Sequence, residues 1–439
     1  MTSSKLFNRN FTLVFAGQCV SITGSALYSV VLVLYLKQMT GSATIIGIVE
    51  LLAFLPWIVL GPFAGTLVDR SSKKRMIVWC DLLRGLLMLL LFVAGLDHVS
   101  GFKIFDIATG RFHFGPFPAV VYAVFFVTVL VGIIDSAFNS TMYSIVPEIL
   151  AREKIQKGNS LFQGAGGVLA MAGSSLGGIF FSFLGAALAF CINGVSFLCA
   201  AFAGLFISMP HGRRPERRAF SYRSFLGETR EGFLYIWGNK GLRNQTVIYA
   251  LSNLLFPTVM LSLPFLVEDV LHLKSAYYGY LLSMLTLSSI AGYFFFGLFN
   301  TTEKQNYRVI CSIFLIEALL FLFLSRSANV VSVFLLLSLL SLCMAVSRLI
   351  NTSLKQKVIP EDLRGRVFGT LDSINGGLAP LSFVLSGIAI DLTGKNIMML
   401  FSFIFGIYAL LAIAFVLDRS IRRFYLSVNG PAGIGGPDD

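Results

Sequence analysis

Of the 439 residues, 56% are hydrophobic and 13% charged, with a mean hydropathy of +0.80, whereas a soluble domain carries about 25% charged residues. That balance excludes a water-soluble domain and describes a polytopic membrane protein. The net charge of +12 would suit a nucleic-acid partner, but the cations collect in loops of one parity, which speaks for membrane topology and against nucleic acid.

Apolar segments able to cross about 30 Å of hydrocarbon fall near 11–36, 43–68, 76–96, 118–146, 160–183 and 185–209, then near 244–270, 275–299, 308–325, 329–354, 366–390 and 396–417. The expectation is an all-α integral membrane protein with twelve transmembrane helices. Lys5 and Arg9 precede a first segment too long for a signal-peptide core, so the first helix is read as its own anchor. Of the 34 Lys and Arg, 26 fall in the termini and the loops of one side, six in those of the other and two within helices. The bias predicts that both termini are cytoplasmic.

The loop between the second and third segments reads GPFAGTLVDRSSKKRM over residues 61–76, with five charges within seven residues. Gly61 and Gly65 share a helix stripe with Asp69, where missing side chains let a neighbouring helix approach closely. Arg70, Lys73, Lys74 and Arg75 supply the positive charge. The string from Gly65 through Asp69 and Arg70 to Lys73, Lys74 and Arg75 resembles the signature loop between helices 2 and 3 of the major facilitator superfamily of transporters. Gln18, Thr40-Gly41-Ser42-Ala43, Phe54-Leu55-Pro56 and Gly61-Pro62 are similar to its branch of bacterial macrolide-efflux and drug:proton antiport proteins.

Helix 5 carries Gly173-Ser174-Ser175-Leu176-Gly177-Gly178, half of the glycine-rich antiporter motif of that branch, which has a Pro at the position of Ser174. Between the two sets of six, residues 210–243 hold eight Lys and Arg interleaved with Phe220, Phe225, Phe233, Tyr235 and Trp237, as an amphipathic helix on the inner leaflet would. Asn139-Ser140-Thr141 with Pro147-Glu148 recurs as Asn351-Thr352-Ser353 with Pro360-Glu361, a faint parallel repeat of six helices. The domain reading is therefore an N-terminal bundle 1–209, a basic cytoplasmic linker 210–243, a C-terminal bundle 244–418 and a cytoplasmic tail 419–439, disordered after Arg423. The resemblance implies two pseudo-symmetric bundles that rock about a central site.

Each ionisable group at bilayer depth costs about 2.5–3.5 kcal/mol on insertion scales and needs a reason. Asp81 and Arg84, three residues apart on helix 3, are expected to pair with each other or with the 69–75 loop. Asp135 in helix 4 and Arg348 in helix 10 occupy nearly equivalent repeat positions. The resemblance places those helices around the central cavity, so the two residues are read either as a static ion pair or as a proton site whose partner changes. The family's drug antiporters often have an Arg at about the position of Gly132, which this chain lacks. Glu50 in helix 2 is the second candidate for coupling or substrate binding, or else a gate residue, while Glu317 in helix 9 is assigned an internal hydrogen-bonding role. All six cysteines lie in apolar runs, the four histidines scatter, and no Walker loop is present, so no catalytic residue, metal site or cofactor is expected.

The combined expectation is a secondary active transporter in a bacterial-type plasma membrane. It exports hydrophobic or amphiphilic small molecules in exchange for protons, and it acts as a monomer. Rival readings are a lysophospholipid or siderophore transporter on the same fold and a transport-inactive membrane sensor.

Overall fold

The computed structural model describes residues 6–100, 117–151, 154–208, 222–299 and 301–426. Side chains within helices at 61–67, 69, 70, 96–100 and 222–226, among others, lie outside the described residues. The expectations for Gly61, Gly65, Asp69 and Arg70 fall there, as do the start of the linker and the end of the tail.

Every regular element among the described residues is helical: α1 (Arg9–Thr40), α2 (Ala43–Arg70), α3 (Lys73–Ser100), α4 (Ala119–Ile149), α5 (Ile155–Leu205), α6 (Tyr222–Gly238), α7 (Lys240–Phe265), α8 (Ala276–Gly297), α9 (Glu303–Leu324), α10 (Val330–Val358), α11 (Glu361–Leu392), α12 (Ile397–Leu417) and α13 (Arg419–Leu426). A π-helical turn, Leu266–Val270, extends α7. Lipid offers no hydrogen bonds to the backbone, so spanning segments take the one conformation that satisfies itself internally. At 32 residues, α1 is about 48 Å long. Its ends are set by chemistry: the Asn8 side chain accepts from the Phe11 N–H, and Gly41 in the left-handed region (φ 61°) donates its N–H to the Lys37 carbonyl.

Ten helices among the described residues are long and apolar enough to cross a membrane. One of them, α5, is two crossings: Gly185 (φ 75°, ψ 177°) breaks its path at the boundary expected between the fifth and sixth segments, leaving 155–184 and 186–205. Another crossing is α11, whose 32 residues are long enough although only Gly377–Leu392 is uniformly apolar. Counted this way, the described residues make twelve crossings.

Two compact units are distinguished by their internal contacts. The first gathers α1–α5 with the segments Leu261–Ser283 and Phe383–Asp391. Within it α1 packs along α5, α2 along α4, and α3 against both α4 and α5. Phe11, Phe138, Ile145 and Ile207 are among the buried side chains that join the ends of α1, α4 and α5.

The second unit contains α6, α7 to Met260, Met284–Ser382, α12 and α13. Helices α10 and α12 flank α9 there, and Phe314, Phe415 and Tyr425 form an aromatic core. Helix α13 continues past Arg423 to Leu426 and buries Ile421, Phe424 and Tyr425. Residues 419–426 thus belong to the folded unit. Helix α6, inside the expected linker, lies on α11: Glu231 is 2.7 Å from Arg366, and Phe233 stacks on Trp237 with both rings partly exposed.

Candidate functional site

A one-turn spacing on α3 puts Asp81 and Arg84 on one face, and the packing of α3 on α4 brings Asp135 to the same place. Arg84 donates through Nη1 to Asp135 Oδ1 at 2.7 Å and through Nη2 to Asp81. Its guanidinium also lies over the rings of Phe138 (3.8 Å) and Phe197 (4.4 Å), where a delocalised cation is attracted to the ring faces. Asp81 is 1% exposed, Arg84 7% and Asp135 39%. One buried cation therefore holds two carboxylates, of which one is accessible. The expected Asp81–Arg84 pair is present, and the cation beside Asp135 is Arg84.

Glu50, half-buried on α2, lies within electrostatic reach of Tyr28 on α1 and Tyr278 on α8. Tyr28 is also within reach of Asp135.

Arg348 belongs to a polar cavity of about 360 Å³ in the second unit, lined from α7, α9, α10 and α11 by Tyr249, Asn253, Glu317, Ser347, Asn351 and Lys355, with Phe314, Phe368 and Leu371. Tyr249 and Ser347 share a hydrogen bond of 2.8 Å. Glu317, assigned an internal hydrogen-bonding role from the sequence, is only 5% exposed and contributes to the lining of this cavity. The available signal was the carboxylate itself, in mid-helix among apolar neighbours.

The three consecutive cations of the signature loop divide. Lys73 pairs with Glu148 and donates to the Ser144 carbonyl on α4. Lys74 and Arg75, each turned about 100° further round the helix, line a cleft on the other side, against α5.

In the helix-5 glycine motif, Cβ atoms added at Gly173 and Gly177 would meet α1 at Thr23 O (2.5 Å) and Leu27 O (2.9 Å). One at Gly178 would meet Ala276 O at 2.9 Å, and Ser175 meets Ser283 through their hydroxyls. Small residues are thus required along both lines of contact. A Cβ at Gly132 would sit 2.9 Å from Ala53 O, so the family's helix-4 arginine has no room at that backbone position.

Two polar clasps went unread in the sequence. Lys37, 8% exposed, is 2.7 Å from Glu268 and 2.9 Å from Asp269, and donates to the Pro264 carbonyl. Asp391 at the end of α11 accepts from Ser42 Oγ (2.6 Å) and from the N–H groups of Ala43 and Thr44, so a carboxylate faces the positive end of α2. The signal was a lysine in the last turn of α1, just before the Thr-Gly-Ser run. Pairing it required the fold.

Twelve crossings, a basic hairpin between the second and third, and charged groups held in mid-helix meet a family model: that of the Major Facilitator Superfamily matches residues 14–382. The chain belongs to this superfamily. Macrolide efflux protein A of Streptococcus pyogenes is 24% identical over 395 residues, covering 88% of this chain and 90% of that protein. Multidrug efflux pump Tap of Mycolicibacterium fortuitum is 22% identical over 373 residues, 82% and 84% of the two chains. Among solved structures, the nucleoside transporter NupG aligns with a TM-score of 0.66 at 14% identity, covering 92% of this chain and 98% of the other. A bacterial homologue of the iron transporter ferroportin gives 0.65 at 16%, covering 95% and 98%. At such identities the structures share the major facilitator fold, and the protein is a multi-pass membrane transporter of that fold.

Proposed function

We propose that this transporter exports hydrophobic or amphiphilic small molecules in exchange for protons, by alternating access, from a bacterial-type cell whose cytoplasm faces both termini and the basic loop. The observation that carries the coupling is the arrangement of two carboxylates on one guanidinium. With Asp81 and Asp135 both ionised the cluster has a net negative charge, and Asp135 is its accessible member. A proton taken by Asp135 leaves Arg84 neutralised by Asp81, so the site loads and unloads without stranding a buried cation. Names of the relatives support efflux, and the mixed aromatic and polar lining of the C-terminal cavity suits amphiphiles held by shape with a few oriented polar groups. Glu50 and Arg348 complete the proposed substrate path, one in each bundle. The bundles are assigned as 1–209 and 244–418, with 210–243 as linker and 419–439 as the C-terminal segment, in a protein that works as a monomer without enzymatic activity.

The test is substrate efflux from proteoliposomes with an imposed pH gradient, using a lipophilic dye and a macrolide and normalising to reconstituted protein. Asp135→Asn is expected to fold, because Asp81 still pairs Arg84, and to exchange substrate downhill while losing its response to the gradient. Arg84→Gln strands the buried Asp81 carboxylate, and breaking such a buried pair costs about 3–5 kcal/mol, so its folded yield is expected to collapse. Gradient-driven export by Asp135→Asn at the wild-type rate would overturn the assignment and move the coupling site to Glu50.

A further inference from the structure

The first turn of α3 contains Lys73, Lys74 and Arg75 and no acidic residue. Cations at this end of a helix oppose its dipole, which favours negative charge there. Lys73 is compensated by Glu148. No carboxylate among the described residues lies within ion-pair distance of Lys74 or Arg75, and both border a cleft of about 440 Å³ between α3 and the second segment of α5. Below the two cations its walls are hydrocarbon and aromatic, with Val78, Trp79, Leu198 and Phe202 among them. Trp79 and Phe202 are 58% and 63% exposed, on the apolar surface of a membrane-spanning bundle.

We propose that this cleft is a binding site for an anionic glycerophospholipid, with an acyl chain against Trp79 and Phe202 and the phosphate on Lys74 and Arg75. The chemistry selects among occupants. A fully apolar ligand would leave two cations without a counter-charge at the edge of the hydrocarbon, and a free phosphate would leave the cleft unfilled. A zwitterionic lipid carries a phosphate too, but its headgroup cation is repelled by the same two side chains. An anionic lipid satisfies both ends, and basic side chains near a membrane surface attract such lipids by about 1 kcal/mol each. The site sits on the superfamily's signature loop, beside the Lys73–Glu148 contact, so lipid composition is placed to bias that contact.

Only three tryptophans are present, which makes the cleft addressable by fluorescence. In a Trp57→Phe, Trp237→Phe background, Trp79 reports on the cleft; a companion variant retaining only Trp57 reports on α2. Each protein is reconstituted in phosphatidylcholine vesicles containing a minority of brominated phosphatidylglycerol or the same fraction of brominated phosphatidylcholine. Trp79 is expected to reveal about a thirtyfold preference for the anionic quencher, as two cations near the surface would produce, weakening with added salt. Trp57 is expected to show no comparable preference. Lys74→Gln with Arg75→Gln should abolish the Trp79 preference, while the charge-conserving Lys74→Arg with Arg75→Lys should keep it. Equal quenching of Trp79 by the two lipids, or a preference undiminished in the double Gln variant, would overturn the proposal. Displacement of the anionic lipid by inorganic phosphate at constant ionic strength would also overturn it, by making the site one for phosphate alone.

Discussion

Arg84 is the residue on which the first bundle's buried charge turns. It combines two carboxylate partners with two aromatic faces, a set that a planar guanidinium satisfies and a lysine ammonium does not. Glu317 is the corresponding question in the second bundle. It is the acidic side chain of a cavity that also holds Arg348 and Lys355, and under the proposed function its carboxylate is the group that a cationic substrate would meet there. A hydrogen bond to a charged group is worth about 1.5–3 kcal/mol, so Glu317→Gln is expected to raise the KM for a lipophilic cation about tenfold or more. The KM for a neutral amphiphile of similar size should stay within about twofold, because the amide preserves the cavity's shape. Initial efflux rates against substrate concentration decide it. A parallel loss for both substrates would mean that Glu317 maintains the fold and does not select ligand.

At the level of elements, the acidic clasp on α2 yields a pH dependence whose sign can be worked out. Burial raises the pKa of Asp391, but the hydrogen bonds from Ser42, Thr44 and the Ala43 N–H outweigh it, and the net displacement is downward. A carboxyl group whose pKa is lowered on folding contributes stability that is present above its unfolded value, about 3.9, and is lost as the pH falls through the folded value. The melting temperature of wild type should therefore exceed that of Asp391→Asn by a constant margin from neutral pH down to about pH 5, then lose that margin in stronger acid. A margin that disappears already between neutral pH and pH 5, or none at neutral pH, would show that the carboxylate does not hold α2 in its charged form. Asp418 makes a similar arrangement at the start of α13, accepting from Asn244 and from the Ser420 and Ile421 N–H groups. Two helix N-termini are thus fastened by carboxylates from outside the helix proper.

Across the whole molecule, the crossings were legible because lipid permits few structures: hydropathy located twelve segments, and Gly185 divides α5 where two of them were expected to meet. The partners of the charged groups were legible only within one helix, as with Asp81 and Arg84. Arg84 with Asp135 and Lys37 with Glu268 are separated by 51 and 231 residues, and no spacing rule joins positions so far apart. The same limit hid the contact most useful for testing alternating access. Ser175 on α5 and Ser283 on α8 touch through their hydroxyls, and Ser283 is the last residue of α8 in the first unit, with Met284 beginning the second. Two serines whose hydroxyls meet have β-carbons near the separation that a disulfide spans. With the six native cysteines replaced, Ser175→Cys with Ser283→Cys is expected to oxidise readily and to tie α8 to α5. If transport requires these helices to part, efflux in proteoliposomes, uphill and downhill alike, should fall about tenfold or more on oxidation and return on reduction, since a covalent tie removes the alternative state from the equilibrium. Each single-cysteine variant should be indifferent to oxidant. Undiminished export by the fully oxidised double variant would mean that α5 and α8 stay together throughout the cycle and that access alternates by movement elsewhere.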